Sequence, residues 1–277
     1  MNKPVDVPVL LRERDGEIAM LVLNRPHPRN SLSEALLQAL SSALRDIKDD
    51  TSVRSVVLAA NGPAFCAGHD LKELTARRAD ADGGRAYFRH IMTTCSAMMQ
   101  QIVTLPQPVI AAVQGPASAA GCQLVASCDL AVASDAAKFA TPGVDIGLFC
   151  STPMVALSRN VSRKAAMEML LTGDMVEAKR AAEIGLVNLA VPGGELRGTV
   201  RALGAKLIKK NPAVLRAAKT AYHHVRSMSW EQSFEYLIAK SDQTKFRDPE
   251  KGDQKGMSQF IDEKRYRPGL ETYDRKR

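Results

Sequence analysis

The stretch PQPVIAAVQGPASAAGCQLVASCDLAVAS, residues 106–134, decides the fold. Its first apolar run, residues 109–113, is too short for a buried helix and reads as a buried strand. Gly115 and Pro116 break it. A string of small residues follows, then a helix over residues 120–126 and a second buried strand over residues 130–133. A strand that runs through a small-residue turn straight into a helix, and then into another strand, is the unit of an α/β protein.

Working outward, the same order recurs. Residues 9–12 and 17–23 read as strands joined by the turn Asp15-Gly16. Ser31-Leu32-Ser33-Glu34 has capping-box spacing, and Leu36, Leu37, Leu40, Leu44 and Ile47 continue at helical spacing to Lys48. Residues 55–60 form a strand that ends at Asn61-Gly62-Pro63, and AFCAGHDL, residues 64–71, then enters a helix. A long helix is expected over residues 85–103, and further helices over 164–172 and 177–184, each closed by a glycine. A short strand over 186–191 follows. After Pro192 only helical spacing is legible, beginning with the stripe Leu196, Val200, Leu203 and Leu207. The expected organisation is therefore an α/β core over residues 1–192 and a helical region over residues 193–277. No internal repeat is visible.

Two loops carry the candidate chemistry: Phe65-Cys66-Ala67-Gly68-His69-Asp70 and Gly115-Pro116-Ala117-Ser118-Ala119-Ala120-Gly121-Cys122. Each follows a buried strand and opens a helix through small residues. The first amides of a helix have no internal acceptor and can donate to an anion. One such loop also serves tight helix–strand packing. Two of them after neighbouring strands suggest a pair of backbone donors aimed at one oxygen.

Composition narrows the alternatives. The 277 residues are 45% hydrophobic and 25% charged, which is ordinary globular usage. The net charge of +8 is spread without long like-charge blocks, and aromatics are only 5%, so little is available to stack nucleic-acid bases. A nucleic-acid partner is not expected. No apolar run approaches the ~18 residues of a membrane span. The N-terminus shows no signal or transit pattern. Cys66, Cys95, Cys122, Cys128 and Cys150 are odd in number and contain no C-x-x-C, and the Cys66–His69 spacing has no second pair to complete a zinc site. No metal is expected, and a reducing, cytoplasmic location is. There is no G-x-G-x-x-G, no G-x-x-x-x-G-K-[ST], no H-E-x-x-H and no G-x-S-x-G.

These segments resemble the crotonase (enoyl-CoA hydratase/isomerase) superfamily. LNRPHPRNSLS from Leu23 resembles its N-terminal strand–turn–helix signature, and AFCAGHDLKE from Ala64 its first oxyanion loop. The stretch from Pro106 resembles the second, and LTGDMVEAKRAAEIGLVNLAVP from Leu171 the later helix–strand unit. The GHDLKEL loop together with TPGVDIGLFCSTP is similar to one subgroup, the enoyl-CoA hydratase domain-containing protein three group. The resemblance implies a spiral of ββα turns, trimers or dimers of trimers built through C-terminal helices, and an acyl-CoA ligand with coenzyme A as part of the substrate rather than a resident cofactor.

It also implies site residues. The backbone N–H groups of His69 and Ala120 are the oxyanion donors. Hydratases of the family use two glutamates to activate water. Here those positions hold Gln123 and Gly143, neither of which takes a proton. Asp145 is the nearest carboxylate, and the His69 imidazole is a second candidate substitute. Asp70 is expected to cap the helix it precedes. Cys66, Ala67 and His69 map to the adenine region, Lys72 to the CoA phosphates, and Lys264 to a neighbouring subunit's CoA. Two functions follow from this pattern: an enolate-stabilising acyl-CoA enzyme with an altered acid–base partner, or an impaired relative that binds and sequesters acyl-CoA.

Overall fold

The computed structural model describes residues 7–249 and 251–264, which form nine strands and eleven α-helices. β1 (Leu10–Asp15) and β2 (Ile18–Leu23) are an antiparallel hairpin over Gly16. α1 (Glu34–Asp49) follows, then β3 (Ser55–Ala60), α2 (Leu71–Ala76) and α3 (Arg85–Thr104). β4 (Val109–Val113), β5 (Ala117–Ser118) and α4 (Ala120–Ser127) come next, then β6 (Leu130–Ser134), β7 (Lys138–Ala140) and α5 (Ser151–Asn160). The later elements are α6 (Arg163–Thr172), β8 (Val176–Glu177), α7 (Ala178–Glu183), β9 (Leu189–Val191), α8 (Leu196–Ile208), α9 (Pro212–Val225), α10 (Trp230–Arg247) and α11 (Gly252–Ile261).

Two sheets organise these elements. The large one has the order β1-β2-β3-β4-β6-β9 and is parallel from β2 onward. The small one has the order β5-β7-β8, and single parallel bridges Cys66↔Ala117 and Leu32↔His69 extend it. Each turn of chain thus adds a strand to the large sheet, touches the small one, and then turns into a helix. This is the expected spiral of ββα units. The repeat is one of backbone path only, which is why no sequence repeat marks it.

Period-2 alternation divides the large sheet's side chains between two apolar layers. Val56, Leu58, Val109, Ala111 and Val113 join the main core with α1, α3 and α4. Ile18, Val57, Ile110, Ala112 and Val132 point the other way, onto Leu196 and Val200 of α8. A Cβ on Gly204 would lie 2.8 Å from Ile18 Cδ1, so α8 is seated tightly. The stripe Leu196, Val200, Leu203 and Leu207 is therefore an internal packing face, and the core runs on past Pro192 through Ile208. The helices that stand off it are α9–α11. Of these, α10 buries no residue and leaves Trp230, Phe234, Ile238 and Phe246 more than half exposed.

The Ser31–Glu34 capping box does not form. Ser33 caps α1 by accepting from Leu36 N, because the Ser31 hydroxyl is drawn to Asp70 and the Glu34 carboxylate to His90.

α9 is tied to the core by one buried cation. Lys219 Nζ lies 2.6 Å from Asp129 Oδ2 and donates to the carbonyls of Ile102 and Gln107 at 3.0 and 3.2 Å. Asp129 also accepts from Val109 N at 2.7 Å. Burial raises the Asp129 carboxyl above its ordinary value although Lys219 stands beside it. Removing one partner of a buried pair strands the other charge. Lys219→Met is expected to cost about 3–5 kcal/mol in denaturant unfolding at neutral pH. Lys219→Met with Asp129→Leu is expected to recover most of that loss; a single variant as stable as the parent would contradict the assignment.

Candidate active site

The first loop is fixed from behind by a polar knot. Arg25 Nη2 meets Asp70 Oδ2 at 3.0 Å, and the Ser31 hydroxyl donates to the same oxygen at 3.1 Å. Arg25 Nη1 also donates to Ser31 O at 2.6 Å. Asn30, fully buried, accepts from Arg25 N and donates to the carbonyls of Asn61 and Ala64 at 2.8 Å. Asp70 Oδ1 accepts from Lys72 N, so Asp70 caps α2 as expected. Burial alone would raise the Asp70 carboxyl, but the hydrogen bonds and charge of Arg25 and Ser31 outweigh it and hold it below its ordinary value. The signature around Arg25–Ser31 is therefore scaffolding for the loop that follows β3.

Within that loop Leu32 N donates to Gly68 O at 2.7 Å and Asp70 N donates to Leu32 O at 3.2 Å. In such a parallel bridge the partner strand bonds the residues on either side, so the N–H of His69 is turned away from Leu32. Gly68, at φ +96°, lies so close to the second loop that a Cβ on it would stand 3.1 Å from Ser118 O and 3.5 Å from Ala120 N. Ala120 is the first residue of α4, and its N–H is among the amides a helix leaves unpaired. Gly121 completes the approach: a Cβ there would lie 2.1 Å from Cys66 O. The two loops thus bring Gly68 against Ala120 N at the N-terminus of α4, where the helix dipole favours negative charge.

Ala119 carries strain at this junction. Its φ of 50° and ψ of −117° belong to glycine. A non-glycine residue held there costs of order 1–3 kcal/mol, against about 0.5–1 kcal/mol of added chain entropy for glycine. Ala119→Gly is therefore expected to raise stability by about 1 kcal/mol in urea unfolding. A loss of stability would contradict this reading of the turn.

The remaining candidates separate. Gln123 lies one turn along α4 from Ala120, only 5% exposed, and its Oε1 accepts from the Thr152 hydroxyl at 3.0 Å. Gly143 is buried under the start of α5, where a Cβ would come within 3.2 Å of Cys150 N and Cys150 Sγ. The Cys150 thiol has taken the space a side chain at 143 would enter, and burial raises its pKa. Thr152 and Cys150 were not singled out as partners of these positions by sequence reading. Helix α5, on which Thr152 lies, went unread because its apolar residues show no clear stripe.

Asp145 is exposed, and its Oδ2 lies 3.0 Å from where a Cβ on Gly173 would stand, over the end of α6. The His69 side chain is half-buried. Both ring nitrogens are buried with no hydrogen-bond partner among the described residues, and burial pushes its pKa down to about 4, so the ring is neutral at pH 7. The Cys66 side chain is fully buried, its thiol is pushed up to about 12, and its carbonyl accepts from Ser118 N. Its side chain therefore has no surface to offer coenzyme A. Ala67 and Lys72 are exposed beside it, and Lys264 is exposed past the end of α11. Among the described residues no group of three or more His, Cys, Asp or Glu is placed to hold a metal, and no helix is long and apolar enough to cross a membrane.

The enoyl-CoA hydratase/isomerase family profile matches residues 13–268. This chain is a member of the enoyl-CoA hydratase/isomerase family. Human enoyl-CoA hydratase domain-containing protein 3, mitochondrial, is 45% identical over 216 residues, covering 78% of this chain and 69% of that protein. Hydroxycinnamoyl-CoA hydratase-lyase of Pseudomonas fluorescens is 35% identical over 265 residues, or 95% of each. Among solved structures, an enoyl-CoA hydratase of Mycobacterium smegmatis superposes with a TM-score of 0.88 at 45% identity, covering 96% of this chain and all of that one. The crystal structure of human enoyl-CoA hydratase domain-containing protein 3 gives 0.85 at 39% identity, over 92% and 98%. The crotonase spiral and the likeness to the domain-containing protein 3 group are therefore common ground between sequence and structure.

Proposed function

We propose that this protein binds acyl-CoA thioesters and stabilises their enolate in an oxyanion hole made by the backbone N–H groups of His69 and Ala120. The observation that carries the reading is the approach of the two loops, with Ala120 N beside Gly68 at the start of α4. Two fixed donors aimed at a thioester oxygen act as the charge develops, and each such donor is worth ~2.7–4 kcal/mol. Binding alone would not require them.

The acid–base partner is altered. Gln123 and Gly143 stand in place of the two glutamates that the family resemblance assigns to water activation. An amide cannot accept a proton at neutral pH, and Cys150 fills the space beside Gly143. Asp145, exposed over α6, is a poor substitute, and His69, half-buried in the first loop with its pKa pushed down to about 4, is a weak base. A second reading, an acyl-CoA-binding protein that sequesters or regulates, is favoured by the same two positions.

The CoA moiety lies along Ala67 and Lys72, with Lys264 serving a neighbouring subunit. The apolar residues left exposed on α9–α11 suit burial in a homotrimer or a dimer of trimers. Five free, buried cysteines suit a reducing, cytoplasmic environment.

Hydration of crotonyl-CoA tests the acid–base part directly. General-base catalysis supplies ~10²–10⁴-fold, so turnover is expected to fall below the ordinary ~1–10³ per second. Loss of the conjugated-thioester absorbance at ordinary rates would show that another residue activates water and would overturn this part of the reading.

A further inference from the structure

The two donors of the proposed oxyanion hole are held differently. Ala120 N–H is fixed by its place in α4. His69 lies in a loop, and α2, which follows it, buries no residue. The packing of α2 therefore cannot hold the His69 peptide. Hydrogen bonds do so instead. Leu32 N donates to Gly68 O at 2.7 Å and Asp70 N donates to Leu32 O at 3.2 Å, so the His69 backbone hangs between two bonds to one residue. A single guanidinium grips both sides of this bridge. Arg25 Nη1 donates to the carbonyl of Ser31, just before Leu32, at 2.6 Å, and Nη2 meets Asp70 Oδ2, just after His69, at 3.0 Å. The Arg25 and Asp70 side chains are 20% and 10% exposed, so solvent screens this pair less than a surface one. The base of the clamp is fixed as well, because Arg25 N donates to the fully buried Asn30 at 2.8 Å.

We propose that Arg25 is a positioning residue whose guanidinium, bridging Ser31 O and Asp70, sets the direction of the His69 N–H and so the degree to which a bound thioester carbonyl is polarised. The proposal rests on the oxyanion reading above and names what orients its first donor. Hydrogen bonds weaken steeply as the angle at hydrogen falls, and a preorganised site tolerates only ~0.5 Å or ~10–20° of error. The planar fork matters here more than its charge. Arg25 uses two nitrogens at once, on acceptors that lie on the two sides of the Leu32↔His69 bridge. A lysine brings the same charge as one point on a flexible stem and cannot hold both acceptors in a fixed geometry. Ser31 supports the clamp through its hydroxyl, which donates to Asp70 Oδ2 at 3.1 Å.

The experiment compares two readouts in the full chain: the ultraviolet red shift of crotonyl-CoA, recorded on mixing, and the calorimetric affinity for butyryl-CoA. Arg25→Lys is expected to lose most of the red shift while the butyryl-CoA affinity stays in place. Ser31→Ala, a milder change that removes the second donor to Asp70, is expected to lose part of the shift in the same way, and it carries the test if circular dichroism shows that Arg25→Lys has not folded. In an Asp70→Asn background, where the carboxylate that Arg25 grips is gone, Arg25→Lys is expected to have no further effect on the spectrum. A full red shift in both Arg25→Lys and Ser31→Ala would overturn the proposal and leave the oxyanion reading standing. Shift and affinity falling together would show a merely structural role, and equal losses from Arg25→Lys with and without Asp70→Asn would show that Arg25 does not act through Asp70; each would overturn it. An unshifted spectrum in the parent protein, with butyryl-CoA bound, would instead bring down the oxyanion reading itself, and this proposal with it.

Discussion

The site rests on one close approach. The start of α4 presses against the carbonyl of Cys66, at a distance that leaves no room for a β-carbon on Gly121. That contact sets where Ala120 stands relative to Gly68 and His69, and so whether two amides can serve one oxygen. It is made possible by the bridge Cys66↔Ala117, which ties the loop after β3 to the strand before α4. Each loop is the second half of a ββα turn, so neighbouring turns of the spiral deliver neighbouring loops. The Arg25–Ser31–Asp70 knot then locks the first loop from outside. Part of the geometry is held against strain, since Ala119 keeps a glycine backbone conformation without being glycine.

Around these donors the site contains few groups able to take a proton. The amide oxygen of Gln123 is committed to Thr152, Cys150 is buried with a raised pKa, and burial pushes His69 down to about 4, which leaves it a weak base. An arrangement rich in donors and poor in bases polarises a carbonyl well and activates water badly. On the proposed reading the two halves of hydratase chemistry separate: the electrostatic half is kept and the proton-transfer half is altered.

Much of this was legible from the chain. The buried strands over 109–113 and 55–60, the glycine-closed helices and the two small-residue loops follow from period and breakers alone, and the structure finds them within a residue or two. The strands of the small sheet were not legible, because β5 and β8 are two residues long and hold no pattern. The expected boundary at Pro192 missed that α8 covers the far face of the large sheet. A stripe such as Leu196–Leu207 states that one face is buried but not what covers it. Asp145 was proposed for its sequence distance from Gly143, and a 3-10 turn carries it outward over α6. The links of Gln123 to Thr152 and of Gly143 to Cys150 join residues from separate elements, and no local pattern reports such a contact.

The central claim, that two backbone amides polarise a thioester carbonyl, is tested most directly by the ultraviolet spectrum of a bound enoyl-CoA. Polarisation by fixed donors stabilises the excited state of the conjugated thioester. The account predicts a strong red shift of its absorbance on binding. Tight binding with an unshifted spectrum would contradict it and would leave a protein that holds acyl-CoA without activating it.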